Sequence, residues 1–140
     1  MDIHYGTKEH KDVETELKKW GGPFPEHCME GSEGQQQIDE TRTDAIIDDD
    51  NIFIITKQTY DVFSNPETKK ILKEVKEAVV YGVATDYCVK AVVLGMLEVG
   101  IKVTVVGDAI KGVDKRTTHN AIRKMIEKGA VFVKTEEIIK

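Results

Sequence analysis

The sequence predicts an α/β domain in which a parallel β-sheet carries helices on both faces. From Asp44 onward, short apolar runs rich in β-branched residues alternate with segments of helical periodicity. The runs are continuous instead of alternating, as in strands covered on both faces. The segments between them are long enough for the helical crossovers that parallel strands require.

The elements follow in order. Met1 to Thr43 is polar, rich in Gly, Glu and Gln, and reads as loops with a short helix near Val13 to Trp20. Asn51-Ile-Phe-Ile-Ile-Thr56 predicts a buried strand that ends at Lys57. Pro66 suits the first turn of a helix through Ile71, Leu72 and Val75, with Asn65 as its N-cap. Ala78-Val-Val-Tyr-Gly-Val-Ala84 predicts a second buried strand. A helix from Asp86 to Val99 places Val89, Val92, Val93 and Met96 on one face, and Gly100 ends it. Lys102 to Val106 is the third strand. Asp114 caps a helix with apolar face Thr118, Ala121, Ile122, Met125 and Ile126, closed by Gly129. Ala130 to Val133 is the last strand, and a short helix follows Thr135. One domain is expected over residues 1–140.

Composition narrows the function classes. A formal net charge of -5 argues against nucleic acid as a partner, since such proteins carry a basic face. No apolar run approaches the ~20 residues that cross a bilayer, and the N-terminus has no signal-peptide core, so no membrane is expected and the cytoplasm is the expected location. In a reducing compartment Cys28 and Cys88 read as separate thiols.

In an open parallel sheet, ligands gather at the carboxyl ends of the strands. The second strand runs into Gly82-Val-Ala-Thr-Asp-Tyr-Cys88, which puts Cys88 in the first turn of the next helix. There the helix dipole and unpaired N–H groups favour a thiolate and can serve as oxyanion donors. The alternative is a cysteine used as a small hydrophobe. Lys57, at the end of the first strand, points toward the same crevice or snorkels to solvent. Asp2 and His4 share one face of an extended segment, and His10, Glu14 and His27 follow. A carboxylate with imidazoles suits zinc, iron or manganese, whereas spacing alone also fits scattered surface histidines.

Together these positions resemble the nicotinamidase branch of the isochorismatase-like cysteine hydrolases. Gly82-Val-Ala-Thr-Asp-Tyr-Cys-Val89 resembles the nucleophile motif almost residue for residue. Gly22-Pro-Phe-Pro-Glu-His-Cys28, followed by Gly31-Ser-Glu-Gly34, resembles the metal-side loop. Lys57-Gln-Thr-Tyr-Asp-Val-Phe63 resembles the catalytic lysine segment, and Asp2-Ile-His4 the pair that opens the metal site. The resemblance implies a three-layer, Rossmann-like parallel sheet and an amide hydrolase that converts nicotinamide to nicotinate and ammonia through a thioester on Cys88. It implies an oxyanion hole from the N–H groups of Ala84 and Cys88, with a cis peptide at Val83–Ala84, and a charge-stabilising role for Lys57. It further implies a divalent metal, zinc before iron or manganese, on Asp2, His4 and His27, with Glu14 preferred to His10 as fourth ligand. Phe24 and Tyr87 fall where the family lines an aromatic ring pocket. The implied partner is a small ring carboxamide from the NAD salvage route, and Cys28 is a packing residue.

One part of the family pattern has no counterpart. Members open with a strand ending in the aspartate that serves as general base, then a helix and a second strand. This chain begins one residue before Asp2. The expectation adopted is a start that lies further upstream. The alternatives are a homo-oligomer or partner that supplies the strands, or Asp61 or Asp86 acting as the base, although structural and capping roles suit those two better.

Overall fold

The structure, a computed structural model, describes residues 17, 18, 21–36 and 52–139. Of the helix expected near Val13 to Trp20, only Leu17 and Lys18 fall among these residues. The chain divides into two compact units, Met1–Ile71 and Leu72–Lys140.

The second unit holds the sheet. Strands β1 (Glu77–Val83), β2 (Lys102–Lys111) and β3 (Val131–Val133) are all parallel, in the order β1-β2-β3. Helices α2 (Lys90–Glu98) and α3 (Lys115–Glu127) make the crossovers. The sheet, its direction and both crossover helices are as the apolar periodicity predicts. β2 runs on past Val106, because Ile110 and Lys111 continue the pairing opposite Gly82 and Val83 after an irregularity in β1.

Both crossover helices stop where glycine stands. Gly100 and Gly129 adopt φ of 87° and 105°, a region open to glycine at little cost. The next N–H in each case, of Ile101 and Ala130, donates to the carbonyl five residues back, on Met96 and Met125, at 3.0 Å. This is the Schellman closure, and both Ile101 and Ala130 are buried beneath it. At the other end of α3, Asp114 Oδ1 accepts from the N–H of Arg116 (3.0 Å) and Thr117 (2.9 Å), as the expected N-cap.

The core of this unit joins Val80, Val103 and Val105 of the strands to Val89, Val93, Ala121 and Met125 of the helical segments. Val93, Val105 and Met125 are fully buried, and such side chains contribute roughly 1.5–3 kcal/mol each. Val80 lies opposite Val105, and both pack into the core with Val93 of α2 and Ala121 and Met125 of α3. The expectation that β1 is buried on both sides needs correction. Val79, Tyr81 and Val83 are 52%, 68% and 70% exposed, because alternate side chains of a strand point away from the helices. Ile126, expected on the buried face of α3, is also exposed, since the helix turns it past the contact made by Ile122 and Met125.

In the first unit, α1 (Glu67–Ile71) begins where Asn65 and Pro66 predict, with Asn65 Oδ1 accepting from Glu67 N–H at 2.9 Å. The strand expected over 51–56 is not formed by 52–56, and Phe53 and Ile54 are 62% and 68% exposed. An apolar run becomes a strand only by pairing, and 52–56 belong to no ladder among the described residues.

Candidate functional site

At the carboxyl end of β1 the chain changes character within three residues. Gly82 takes φ of 116°, the Val83–Ala84 peptide bond is cis, as the resemblance implies, and Thr85–Val89 forms a π-helical turn that leads into α2. The N–H groups of Tyr87 and Val89 both donate to Ala84 O at 3.1 Å. Ala84, Tyr87 and Cys88 are therefore brought into one turn. Within it the side chains are sorted: Thr85 and Asp86 are buried, while Tyr87 and Cys88 are half-buried.

Asp86 is anchored by three donors. Its Oδ1 accepts from Val113 N–H at 3.0 Å, and its Oδ2 from Asp114 N–H at 3.2 Å and from the Thr117 hydroxyl at 2.6 Å. Burial alone would raise its carboxyl pKa. The hydrogen bonds, from Thr117 first and then Val113 and Asp114, outweigh that and hold it below the ordinary 3.8. Its ionised form is thus favoured by folding, and the stabilisation is present above pH 3.8 and lost as pH falls through the lower folded value. Asp86→Asn is expected to flatten the loss of stability in that acid range, as read by urea melts at stepped pH. An Asp86 contribution that grew on acidification would contradict the assignment. A carboxylate so held is a weak proton acceptor. Asp61 likewise serves as a cap, its Oδ1 accepting from Phe63 N–H at 2.9 Å. Both aspartates have the structural roles expected of them.

Thr85 carries the one buried side-chain oxygen without a hydrogen-bond partner among the described residues. Thr85→Val keeps the shape and removes that hydroxyl. It is expected to raise stability by roughly 1 kcal/mol, measurable as a higher denaturation midpoint with an unchanged slope. A destabilised valine variant would show that the hydroxyl is satisfied in solution.

The first unit holds the other candidates. Leu17 and Phe24 form an isolated parallel bridge, and Lys18 N–H donates to Phe24 O at 2.6 Å. This short loop anchors on Leu17, which is 1% exposed. Phe24 and His27 meet edge to face at 5.7 Å between ring centroids. His27 Nδ1 lies 2.8 Å from Pro25 O, which can only accept, so Nδ1–H is the donor of that bond. A bond of this kind from one ring nitrogen to a carbonyl is the usual support of a metal-ligating histidine. Cys28, which follows, has φ of 47° and is half-buried. The two cysteines are not joined in a disulfide. Asp2, His4, His10 and Glu14 lie outside the described residues, among which no cluster of three or more metal-binding side chains occurs. Lys57 Nζ donates to Thr59 O at 2.8 Å. Its segment is tied down by Asn65 Nδ2, which donates to Thr56 O at 2.8 Å. The lysine side chain is thus tied to the loop that follows it.

Sequence reasoning did not foresee Thr117 or the backbone of Val113 and Asp114 as partners of Asp86. They lie 27 to 31 residues away, and no local pattern announces such a bond.

Comparison with known proteins follows this geometry. A family model for the isochorismatase domain matches residues 4–137. The chain is 32% identical over 122 residues to the nicotinamidase of Escherichia coli (strain K12), a match covering 78% of this chain and 56% of that protein. The chain thus spans little more than half the length of that relative. The pyrazinamidase of Pyrococcus horikoshii, solved in complex with zinc, superposes with a TM-score of 0.74 at 27% identity, over 94% of this chain and 72% of its own. The nicotinamidase/pyrazinamidase of Bacillus subtilis gives a TM-score of 0.79 over 95% of this chain and 72% of its own. At 17% identity that likeness is one of fold. No helix among the described residues is long and apolar enough to cross a membrane.

Proposed function

Since the chain belongs to the isochorismatase family, we propose that it is a cysteine amide hydrolase acting on a small ring carboxamide such as nicotinamide. The observation that carries this reading is the turn Ala84–Val89, which follows a cis peptide at the carboxyl end of β1 and holds Cys88 half-exposed above buried Thr85 and Asp86. The names of the relatives support the substrate class.

In this reading Cys88 Sγ attacks the carboxamide carbon, the C–N bond breaks, and the nitrogen takes the proton given up by the thiol and leaves as ammonia. Water then cleaves the thioester, releasing a carboxylate and restoring the thiol. The N–H groups of Ala84 and Cys88 stabilise the oxyanion in both steps. Lys57 stabilises the charged nucleophile. Phe24 and Tyr87 flank the ring. The Nδ1–H bond of His27 to Pro25 O fits a metal ligand, and Asp2, His4 and Glu14 would complete the set for a divalent metal, zinc being the candidate. When bound, that metal would hold the ring nitrogen of the substrate. The reading places the protein in nicotinamide salvage in the cytoplasm, as a homo-oligomer.

The test is ammonia release from nicotinamide, with and without a metal chelator, by this chain and by a version extended upstream with a strand ending in aspartate. Release by either form, lost on chelation, is the expected result. Silence from both with nicotinamide and with pyrazinamide would overturn the substrate class.

A further inference from the structure

We propose that Asp86 is a positioning residue for Cys88, fixing the turn that presents the thiol by holding the connection between β2 and α3. The inference rests on the reading of Cys88 as nucleophile and goes beyond it. Residues two apart in a helical turn do not share a face. With Asp86 drawn inward onto Val113 N–H, Asp114 N–H and the Thr117 hydroxyl, Cys88 is left on the other side of the turn, where it is half-exposed. Asp86 itself is only 3% exposed, so its charge inside the protein depends on hydrogen-bond donors such as these three. Two of them are backbone groups at the amino end of α3, whose first turn favours a carboxylate. The same bonds fix Val113, whose side chain is 63% exposed beside the anchored loop. One buried carboxylate therefore sets the turn carrying the nucleophile and the adjoining loop together.

Asparagine at this position cannot satisfy all three donors, since its amide nitrogen turns a donor toward a donor. Thr117→Val removes the hydroxyl alone, and Thr117→Ser retains it. The readouts are steady-state ammonia release and the rate of Cys88 alkylation by iodoacetamide relative to Cys28 in the same molecule. In Asp86→Asn, kcat is expected to fall about tenfold to a hundredfold with KM within about threefold, as for a misplaced reacting group. Its Cys88 alkylation should slow by roughly threefold or more, because the thiol leaves the amino end of α2. Thr117→Val should be intermediate and Thr117→Ser close to wild type. Val103→Ala, a core change remote from these bonds, should lower Tm and leave the alkylation ratio unaltered. Unchanged alkylation and kcat in folded Asp86→Asn would overturn the proposal. So would an equal effect from Val103→Ala, or a serine variant as impaired as the valine one. Should wild type release no ammonia while the alkylation order holds, the substrate reading fails and the positioning role stands.

Discussion

Alanine in place of Cys88 is expected to reduce ammonia release from nicotinamide by about 10⁴-fold or more, to the level of whatever binding and oxyanion donors achieve without a nucleophile. Two features make the effect large. The thioester route has no second thiol in the turn to serve as nucleophile, since the neighbours of Cys88 are Tyr87 and Val89. The change also leaves the fold in place, because Cys88 is half-buried and lies outside the core cluster. Loss of rate should therefore appear with Tm nearly unchanged, in whichever of the shorter or upstream-extended forms is active. Cys28→Ala is the internal control and should retain activity. An alanine variant of Cys88 within tenfold of wild type would end the thioester reading, whatever the substrate.

The second large effect is on stability. Gly112 joins the end of β2 to the loop that caps α3, and it packs against α3 itself. A Cβ built there would stand 1.7 Å from Thr118 Oγ1, 2.8 Å from its Cβ and 3.0 Å from its Cγ2. The Cβ is fixed to the helix backbone, so a rotamer change does not relieve the overlap. Gly112→Ala is expected to destabilise by roughly 2–3 kcal/mol, the cost of overpacking with backbone displacement. The displaced backbone would include Val113 and Asp114, which hold Asp86, so activity should fall with stability. Thr118→Ala removes the closest and third contacts while keeping the Cβ. In a denaturant double-mutant cycle it should recover part of the loss, with a coupling of about 1 kcal/mol. A Gly112→Ala protein as stable as wild type, or no coupling to Thr118, would refute the packing argument.

Much of the second unit was legible from local chemistry. The cap at Asp114, the stops at Gly100 and Gly129 and the apolar stripes of α2 and α3 all concern groups within five residues of one another. Cys88 was legible for the same reason, as a thiol placed at a helix start directly after a strand. The run 52–56 reads as a strand in the sequence but joins no ladder among the described residues, and Lys57, which follows it, donates to the loop carbonyl of Thr59. Of the residues expected on the metal side only His27 lies among the described residues, with its Nδ1 2.8 Å from Pro25 O; Asp2, His4 and Glu14 are outside them.

By itself, then, the amino-acid order marked the apolar runs of β1 to β3, the helices between them and the turn that carries Cys88. Capping, helix termination and side-chain periodicity act over a few residues and need no partner. Tertiary structure decided that Val79, Tyr81 and Val83 of β1 stay exposed, that residues 52–56 pair with no described strand, and that Asp86 is tied to Val113, Asp114 and Thr117. Burial, strand pairing and long-range hydrogen bonds depend on which group lies opposite in space, and chain neighbours do not reveal that group.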